Sequence, residues 1–143
     1  MNCVDDLKSE VDALRPSDNI FIGMRVSGCF DVLKMRAACK AKPGEDLAAA
    51  TQHQSEFDAS EIEGTLVGFW TPEYAAAINV PGFHVHFISA DRSLGGHVLD
   101  LQGRDLELCL HLETEFQLAI PETEEFLKAD LKGDPTAVLK QVE

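Results

Sequence analysis

The chain has 143 residues, which suits a single domain with one modest hydrophobic core. Its formal net charge is −13, so it lacks the surplus of Lys and Arg that a nucleic-acid partner needs. No apolar run approaches the roughly 20 residues that span a bilayer, and the acidic N-terminus has no signal-peptide pattern. The four cysteines form no CxxC pair and are expected to be free thiols. We therefore expect a cytoplasmic protein with no nucleic-acid or membrane partner, in which an anionic small-molecule substrate requires a local positive group.

The first predicted elements are a helix and a strand region. Residues 3–14 carry apolar side chains at helical spacing, and Arg15-Pro16 ends the helix. Residues 19–26 alternate apolar and other side chains as a strand does, and Ser27-Gly28 is expected to bend or bulge the chain into a second strand over residues 30–38. The apolar helix positions are Val4, Leu7, Val11 and Leu14.

The middle of the chain is predicted to leave and then rejoin the sheet. Residues 40–60 are polar and rich in alanine, which favours a long loop with at most a helical turn. Strand character returns over residues 63–70, and Pro72 favours a short helix through residue 77. Residues 79–82, Asn-Val-Pro-Gly, indicate a turn into the next strand.

Three histidines follow in the segment GFHVHFISADRSLGGHVLDL. Alternate residues of a strand share a face, so His84 and His86 are expected on the same side. The turn-like run 91–96 would return an adjacent strand carrying His97 beside them. Three imidazoles with a free coordination position are typical of catalytic zinc. The spacing alone leaves open a second reading, in which two histidines share a face by chance and the third is unrelated.

The last predicted elements are a strand and a helix. Residues 106–112 alternate leucines with polar side chains, which indicates a strand with His111 on its wet face, away from the other histidines. Pro121 is expected to open a helix with an acidic first turn, a buried stripe and Gly133 as its C′ residue; the stripe is Phe126, Leu127 and Leu131. The expected fold class is α+β, a mainly antiparallel β-sheet or partial barrel with helices at the N- and C-termini.

Several blocks together carry a family resemblance. They are GTLVGF at 64–69, TPEY at 71–74, GFHVHFI at 82–88 and GGHVLD at 95–100. In order and spacing they closely resemble the C-terminal half of the α-acetolactate decarboxylases. The similarity runs from about Leu14 to the end of the chain and is loose over residues 40–60.

The resemblance implies a zinc-dependent carboxy-lyase that converts 2-acetolactate to acetoin, with Zn²⁺ as a Lewis acid. His84, His86 and His97 match the family's zinc ligands, and Arg25 matches its active-site arginine. Glu143 is the best match to a C-terminal glutamate that acts as general acid. From the residues alone, Arg25 is more typical of a solvent-facing strand arginine and Glu143 of a solvated terminus.

The family's N-terminal half, with a further active-site glutamate, has no counterpart in these 143 residues. Residues 1–143 are accordingly expected to form a single domain resembling the C-terminal zinc-binding part of the family. We expect exposed apolar surface on its sheet, and a homo-oligomer or a separate polypeptide supplying the N-terminal half. Two alternatives remain: a non-catalytic zinc-binding remnant, and another three-histidine metalloenzyme of hydratase or cupin-like type.

Overall fold

A computed structural model describes residues 1–38 and 54–131. A helix, α1, comes first, five strands follow, and a second short helix, α2, ends the described part. The elements are α1 Val4–Leu14, β1 Phe21–Ala38, β2 Gln54–Thr71, a 3-10 turn Glu73–Ala75, β3 Gly82–Ser89, β4 Gly95–Gly103, β5 Glu107–Glu113 and α2 Glu124–Lys128. None of the helices in this part of the chain is long and apolar enough to cross a membrane.

The five strands form one antiparallel sheet that closes on itself. β1 pairs with β2 along nearly its whole length, from Ile22 opposite Trp70 to Ala38 opposite Gln54. The other edge of β1 is shared, because residues 21–27 pair with β5 and residues 30–36 pair with β4. β3 joins β2 to β4 and completes a ring of four strands. The expected α+β class with a mainly antiparallel, barrel-like sheet is confirmed.

The apolar core fills the inside of this ring. Phe30 and Phe87 meet edge to face with ring centroids 5.4 Å apart, a favourable aromatic geometry. Leu7 and Val11 of α1 pack into the same cluster, and the Asp100 carboxylate accepts a 2.8 Å hydrogen bond from the Val4 amide at the start of α1. The remaining buried members are Ile22, Met24, Val26, Leu33, Met35, Leu66, Val85, Val98 and Leu101. Because inward and outward residues alternate, the outer face of the barrel carries the polar side chains, together with exposed apolar ones such as Val67, Phe69 and Ile88.

Two strand predictions are corrected. Residues 19–38 were expected to form two strands, but β1 is one 18-residue strand. Gly28, at φ +148°, and a register shift between Phe30 and Val32 bend it without ending it. Residues 54–60 were expected to be loop, yet they are the first part of β2, where Glu56 forms a 2.9 Å ion pair with Lys34 of β1. The remaining residues of the expected loop, 40–53, lie outside the described part.

The C-terminal helix is also shorter than predicted. It begins after Thr123, whose hydroxyl accepts a hydrogen bond from the Phe126 amide, and it spans only five residues. The helix begins after Thr123 and not at Pro121, because the Thr123 hydroxyl pairs with the Phe126 amide, which has no partner within the helix. The expected buried stripe is wrong, since α2 buries none of its residues and Leu131 is exposed. Gly133 lies outside the described residues.

Candidate metal centre

The three histidines come together on the outer face of the barrel. His84 and His86 lie on β3, and His86 is directly opposite His97 of β4 in the strand register. The ring centroids are 4.9 to 5.2 Å apart, and the Nε2 atoms of His84 and His86 are 2.9 Å apart. Their ligand atoms all lie within 4.8 Å of one another. The predicted convergence of the histidines from two paired strands is therefore present.

The donor set fits a small divalent ion. Zinc binds imidazole nitrogen at about 2.0–2.1 Å, so two ligands of a tetrahedral ion lie roughly 3.4 Å apart. The observed nitrogen separations, from 2.9 Å up to 4.8 Å, bracket that value. Within the described residues no other group of three His, Cys, Asp or Glu side chains has this spacing. A three-imidazole site of this kind leaves a coordination position for an oxygen ligand.

Glycines of β2 let the histidine strand approach closely. A Cβ on Gly68 would lie 2.2 Å from the His84 carbonyl oxygen, and one on Gly64 would lie 2.4 Å from the Ile88 carbonyl oxygen. Real Cβ atoms essentially never come that close, so only glycine fits at either position. The two glycines of the GTLVGF block therefore fix the distance between β2 and β3.

The hairpin that returns His97 is held by its turn. The Asp91 carboxylate accepts hydrogen bonds from the Ser89 hydroxyl at 2.7 Å and from the Ser93 amide at 3.0 Å. These bonds, that of Ser89 first, lower the pKa of Asp91 to about 2. The left-handed residue of the turn is Arg92, at φ 60°, whereas Gly95 and Gly96 already belong to β4. The predicted turn run 91–96 is therefore two residues too long, and Gly95 and Gly96 instead allow the close approach of neighbouring strands.

Arg25 lies on the same outer face, beyond the intervening strand β2. It is opposite Val67, which in turn is opposite His86, so two strand spacings, about 10 Å, separate Arg25 from His86. Its guanidinium donates to the Cys109 sulfur at 3.4 Å and lies 4.0 Å from the Glu107 carboxylate. The hydrogen bond to Cys109, together with the charges of Cys109 and Glu107, raises the pKa of Arg25. Arg25 is therefore a permanent cation about 10 Å from His86, on the same face of the sheet.

Arg25 and two of the histidines line one open cleft of about 730 Å³. His111 of β5 also lines it, but three strand spacings separate it from His84 and it does not belong to the histidine cluster. His111 is exposed, as the alternation in β5 predicts. Val67 and Phe69 are about half exposed on the same face, so the cleft has apolar as well as charged walls. Glu143, the predicted general acid, lies outside the described residues.

A second arginine, which no local sequence pattern marks, is paired with His97 on the other side of the histidine cluster. Arg36 of β1 is directly opposite His97 in the β1–β4 register. Arg36 and all three histidines line a second cleft of about 570 Å³. The alternation of β1 shows that Arg36 faces outward, but its neighbour could be found only from the long-range register.

The structure thus defines a class: a small antiparallel barrel with a three-histidine cluster on its outer face, flanked by arginines. The chain matches the family model described as alpha-acetolactate decarboxylase over residues 2–133, and it belongs to that family. It is 42% identical over 126 residues to the alpha-acetolactate decarboxylase of Brevibacillus brevis, which covers 87% of this chain and 44% of the relative. The protein of that name from Methanosarcina mazei is 39% identical over 141 residues, covering 98% of this chain and 49% of the relative.

Comparison with solved structures indicates the same family as the sequence matches do. The crystal structure of alpha-acetolactate decarboxylase from Bacillus subtilis strain 168 superposes with a TM-score of 0.90 at 31% identity, covering 99% of this chain and 61% of that one. The chain spans about half the length of the curated relatives it matches.

Proposed function

We propose that this chain is the metal-binding part of a zinc-dependent carboxy-lyase that decarboxylates 2-acetolactate to acetoin. One observation carries the proposal: His84, His86 and His97 bring their nitrogens within 4.8 Å of one another in a chain of this family. Membership alone does not give the activity, because the chain spans about half of its relatives.

The three histidines would hold the zinc ion. When bound, zinc supplies a Lewis acid that withdraws electrons from the substrate's oxygen atoms. The imidazoles are neutral ligands, so the ion keeps its full positive charge. The cluster is reached from solvent, since His86 is exposed and open clefts lie on both sides of the group.

Arg25 would bind and orient the anionic substrate. The chain carries a net charge of −13, which repels an anion at long range, so a local cation is required. A guanidinium matches a carboxylate with two parallel hydrogen bonds and holds its charge at every working pH. Arg25 faces the cleft that His84 and His86 also line, which suits this role.

Glu143 would act as the general acid. Loss of carbon dioxide leaves the former carboxylate-bearing carbon in need of a proton, and a carboxyl group near the site can deliver it. The assignment rests on the resemblance of the C-terminal tail, which lies beyond the residues 2–133 that the family model matches.

Metal analysis combined with an acetoin assay tests the proposal. The purified chain should retain about one zinc ion per molecule and form acetoin from 2-acetolactate, while His86→Ala should lose the metal. His111→Ala is the matched control, because it removes an imidazole from the same face without touching the cluster. The assay is repeated with the remaining part of a full-length relative added in trans.

Each result decides between the candidates. Full zinc retention by His86→Ala would contradict the metal assignment. Stoichiometric zinc with no acetoin, even after addition in trans, would contradict the decarboxylase and favour the non-catalytic zinc-binding module. Hydration of carbon dioxide, or hydrolysis of an ester, with no carbon dioxide released from 2-acetolactate would indicate one of the other three-histidine metalloenzymes.

A further inference from the structure

We propose that a pocket lined by three phenylalanines and two glutamates, away from the histidine cluster, binds a quaternary ammonium group. This phenylalanine pocket has a volume of about 330 Å³, and its lining residues are Phe21, Phe69, Asn79, Glu113, Glu115 and Phe116. None of the three clustered histidines lines it, so the inference does not depend on the proposed function.

The strand register brings the walls of the phenylalanine pocket together. Phe21 of β1 is opposite Glu113 of β5, and Phe69 of β2 is opposite Gly23 of β1. A Cβ on Gly23 would lie 2.8 Å from Glu113 Oε1 and 3.7 Å from Phe69 Cε1. The carboxylate and the aromatic ring therefore converge over the same glycine, whose missing side chain leaves room for them.

The aromatic walls are held in place but remain accessible. Phe116, which follows β5, stacks on Phe21 with ring centroids 6.0 Å apart and ring planes at 24°. Tyr74 meets Phe21 edge to face, so two rings fix the position of Phe21. Phe69 and Phe116 are 51% and 56% exposed. Both rings therefore have surface available to a ligand.

The charges of the phenylalanine pocket favour a cation. Its two charged lining residues are both glutamates, and no Lys, Arg or His side chain lines it. Glu113 also lies 3.2 Å from His111 Nδ1, whereas Glu115 forms no ion pair with any described residue. The net charge of −13 draws cations towards the chain at long range. A positively charged ligand is thus attracted both by the whole chain and by the pocket.

A quaternary ammonium group matches both kinds of wall. The face of an aromatic ring attracts a cation, and the two carboxylates add to that attraction. The methyl groups around the nitrogen are apolar and can pack against phenylalanine, whereas a primary ammonium holds its water more strongly. A volume of about 330 Å³ is at the lower end of small-molecule sites, which suits a group the size of choline.

A matched pair of ligands tests the charge requirement on the purified chain. Choline carries the quaternary nitrogen, and 3,3-dimethylbutan-1-ol has the same shape with a neutral carbon in its place. In an NMR titration at low salt, choline should bind about 10-fold or more tightly than the alcohol. The largest shift changes should fall on the backbone amides of Phe69 and Phe116.

Two variants locate the site. Phe116→Leu keeps an apolar side chain but removes the ring, and should weaken choline binding about 2- to 5-fold while leaving the alcohol within about twofold. Glu115→Gln should weaken choline binding by a similar factor, and the loss should shrink as salt is added. The matched controls are Leu118→Ala and Glu122→Gln, exposed residues outside the pocket, which should bind choline as wild type does.

The source of the quaternary ammonium group is a separate question within the same titration. The probe is Nα-acetyl-trimethyllysine amide, which carries the group on a short polypeptide unit. Tighter binding of this probe than of choline would assign the group to a protein side chain, and weaker binding would assign it to a free small molecule.

Three results would overturn the inference. They are equal binding of choline and the neutral alcohol, shift changes that fall outside the phenylalanine pocket, and wild-type choline affinity in both Phe116→Leu and Glu115→Gln. Absence of zinc or of acetoin formation bears on the proposed function alone, because neither is needed for choline to bind here.

Discussion

The contact between Gly68 and the histidine strand predicts a specific effect of one added methyl group. In Gly68→Ala the new Cβ would lie 2.2 Å from the His84 carbonyl oxygen and 2.6 Å from Val85 Cγ1. Both neighbours belong to β3, and the first is backbone, so a side-chain rotation cannot relieve the clash. β3 would have to recede by roughly 0.8 Å before the contact reached 3.0 Å, the lower limit of real Cβ contacts.

That shift has two measurable consequences. Overpacking of a well-packed sheet typically costs 1–3 kcal/mol, so the free energy of unfolding in urea should fall by about 2 kcal/mol. A metal site tolerates only about 0.2 Å in its ligand distances, and a movement several times larger should weaken zinc binding about 10- to 100-fold. Zinc affinity is measured by competition with a chelator, and stability by urea unfolding of the metal-free chain.

Gly23→Ala provides the matched control on the neighbouring strand β1. A Cβ there would meet Glu113 Oε1 at 2.8 Å, but that atom is the end of a flexible side chain and can move away. Gly23→Ala should therefore change stability by less than about 1 kcal/mol and leave zinc affinity unchanged. If Gly68→Ala matched Gly23→Ala in both measurements, the close approach of β2 and β3 would not be what positions His84.

Three further predictions concern the charged groups. Arg25→Gln should retain zinc but form acetoin about 10- to 100-fold more slowly, and unchanged turnover would exclude Arg25 as a substrate-binding group. Glu143→Gln should slow turnover about 100-fold or more at full zinc content, and an equal rate would remove its role as general acid. The depressed pKa of Asp91 should stabilise the fold above about pH 3.8, with that contribution lost as the pH falls through about 2. The difference in urea midpoint between wild type and Asp91→Asn should shrink across this window, and a constant difference would contradict the hydrogen-bonded turn.

The histidine site was predictable because its signals are local. The period of two in a strand puts His84 and His86 on one face, and the polar run after Ser89 predicts the hairpin that returns His97. The site needs only the hairpin turn after Ser89 and the pairing of β3 with β4, both of which lie inside a segment of 20 residues. The structure agrees on each point.

Other parts of the fold depend on pairings that no local pattern records. The sequence predicts loop for residues 54–60 because only Phe57 and Ala59 of this segment pack against the core, which is too short an apolar alternation to indicate a strand. No local pattern indicates that Arg36 is paired with His97, because that pairing requires β1 to be one strand that closes a ring. The sequence predicts too long an α2, because the apolar residues of this helix are not buried within the described part of the chain.

Some residues of the family motifs have a structural explanation in place of a chemical one. The hydroxyl of buried Thr71 accepts a 3.1 Å hydrogen bond from the Asn79 side chain, which ties the two ends of the turn before β3. The Tyr74 hydroxyl donates to the Asn19 carbonyl at 3.2 Å, and its ring lies edge to face against Phe21. The TPEY block therefore anchors the turn that leads into the histidine strand.

The closure of the ring by β1 also has a kinetic consequence. Arg36 and His97 are 61 residues apart in the chain, so their pairing must wait for the slow step that brings distant segments together. The hairpin with its three histidines can form early, but the seam between β1 and β4 exists only once the ring has closed. A ligand that contacts both sides of this seam would bind the finished fold and not its precursors, and would slow unfolding.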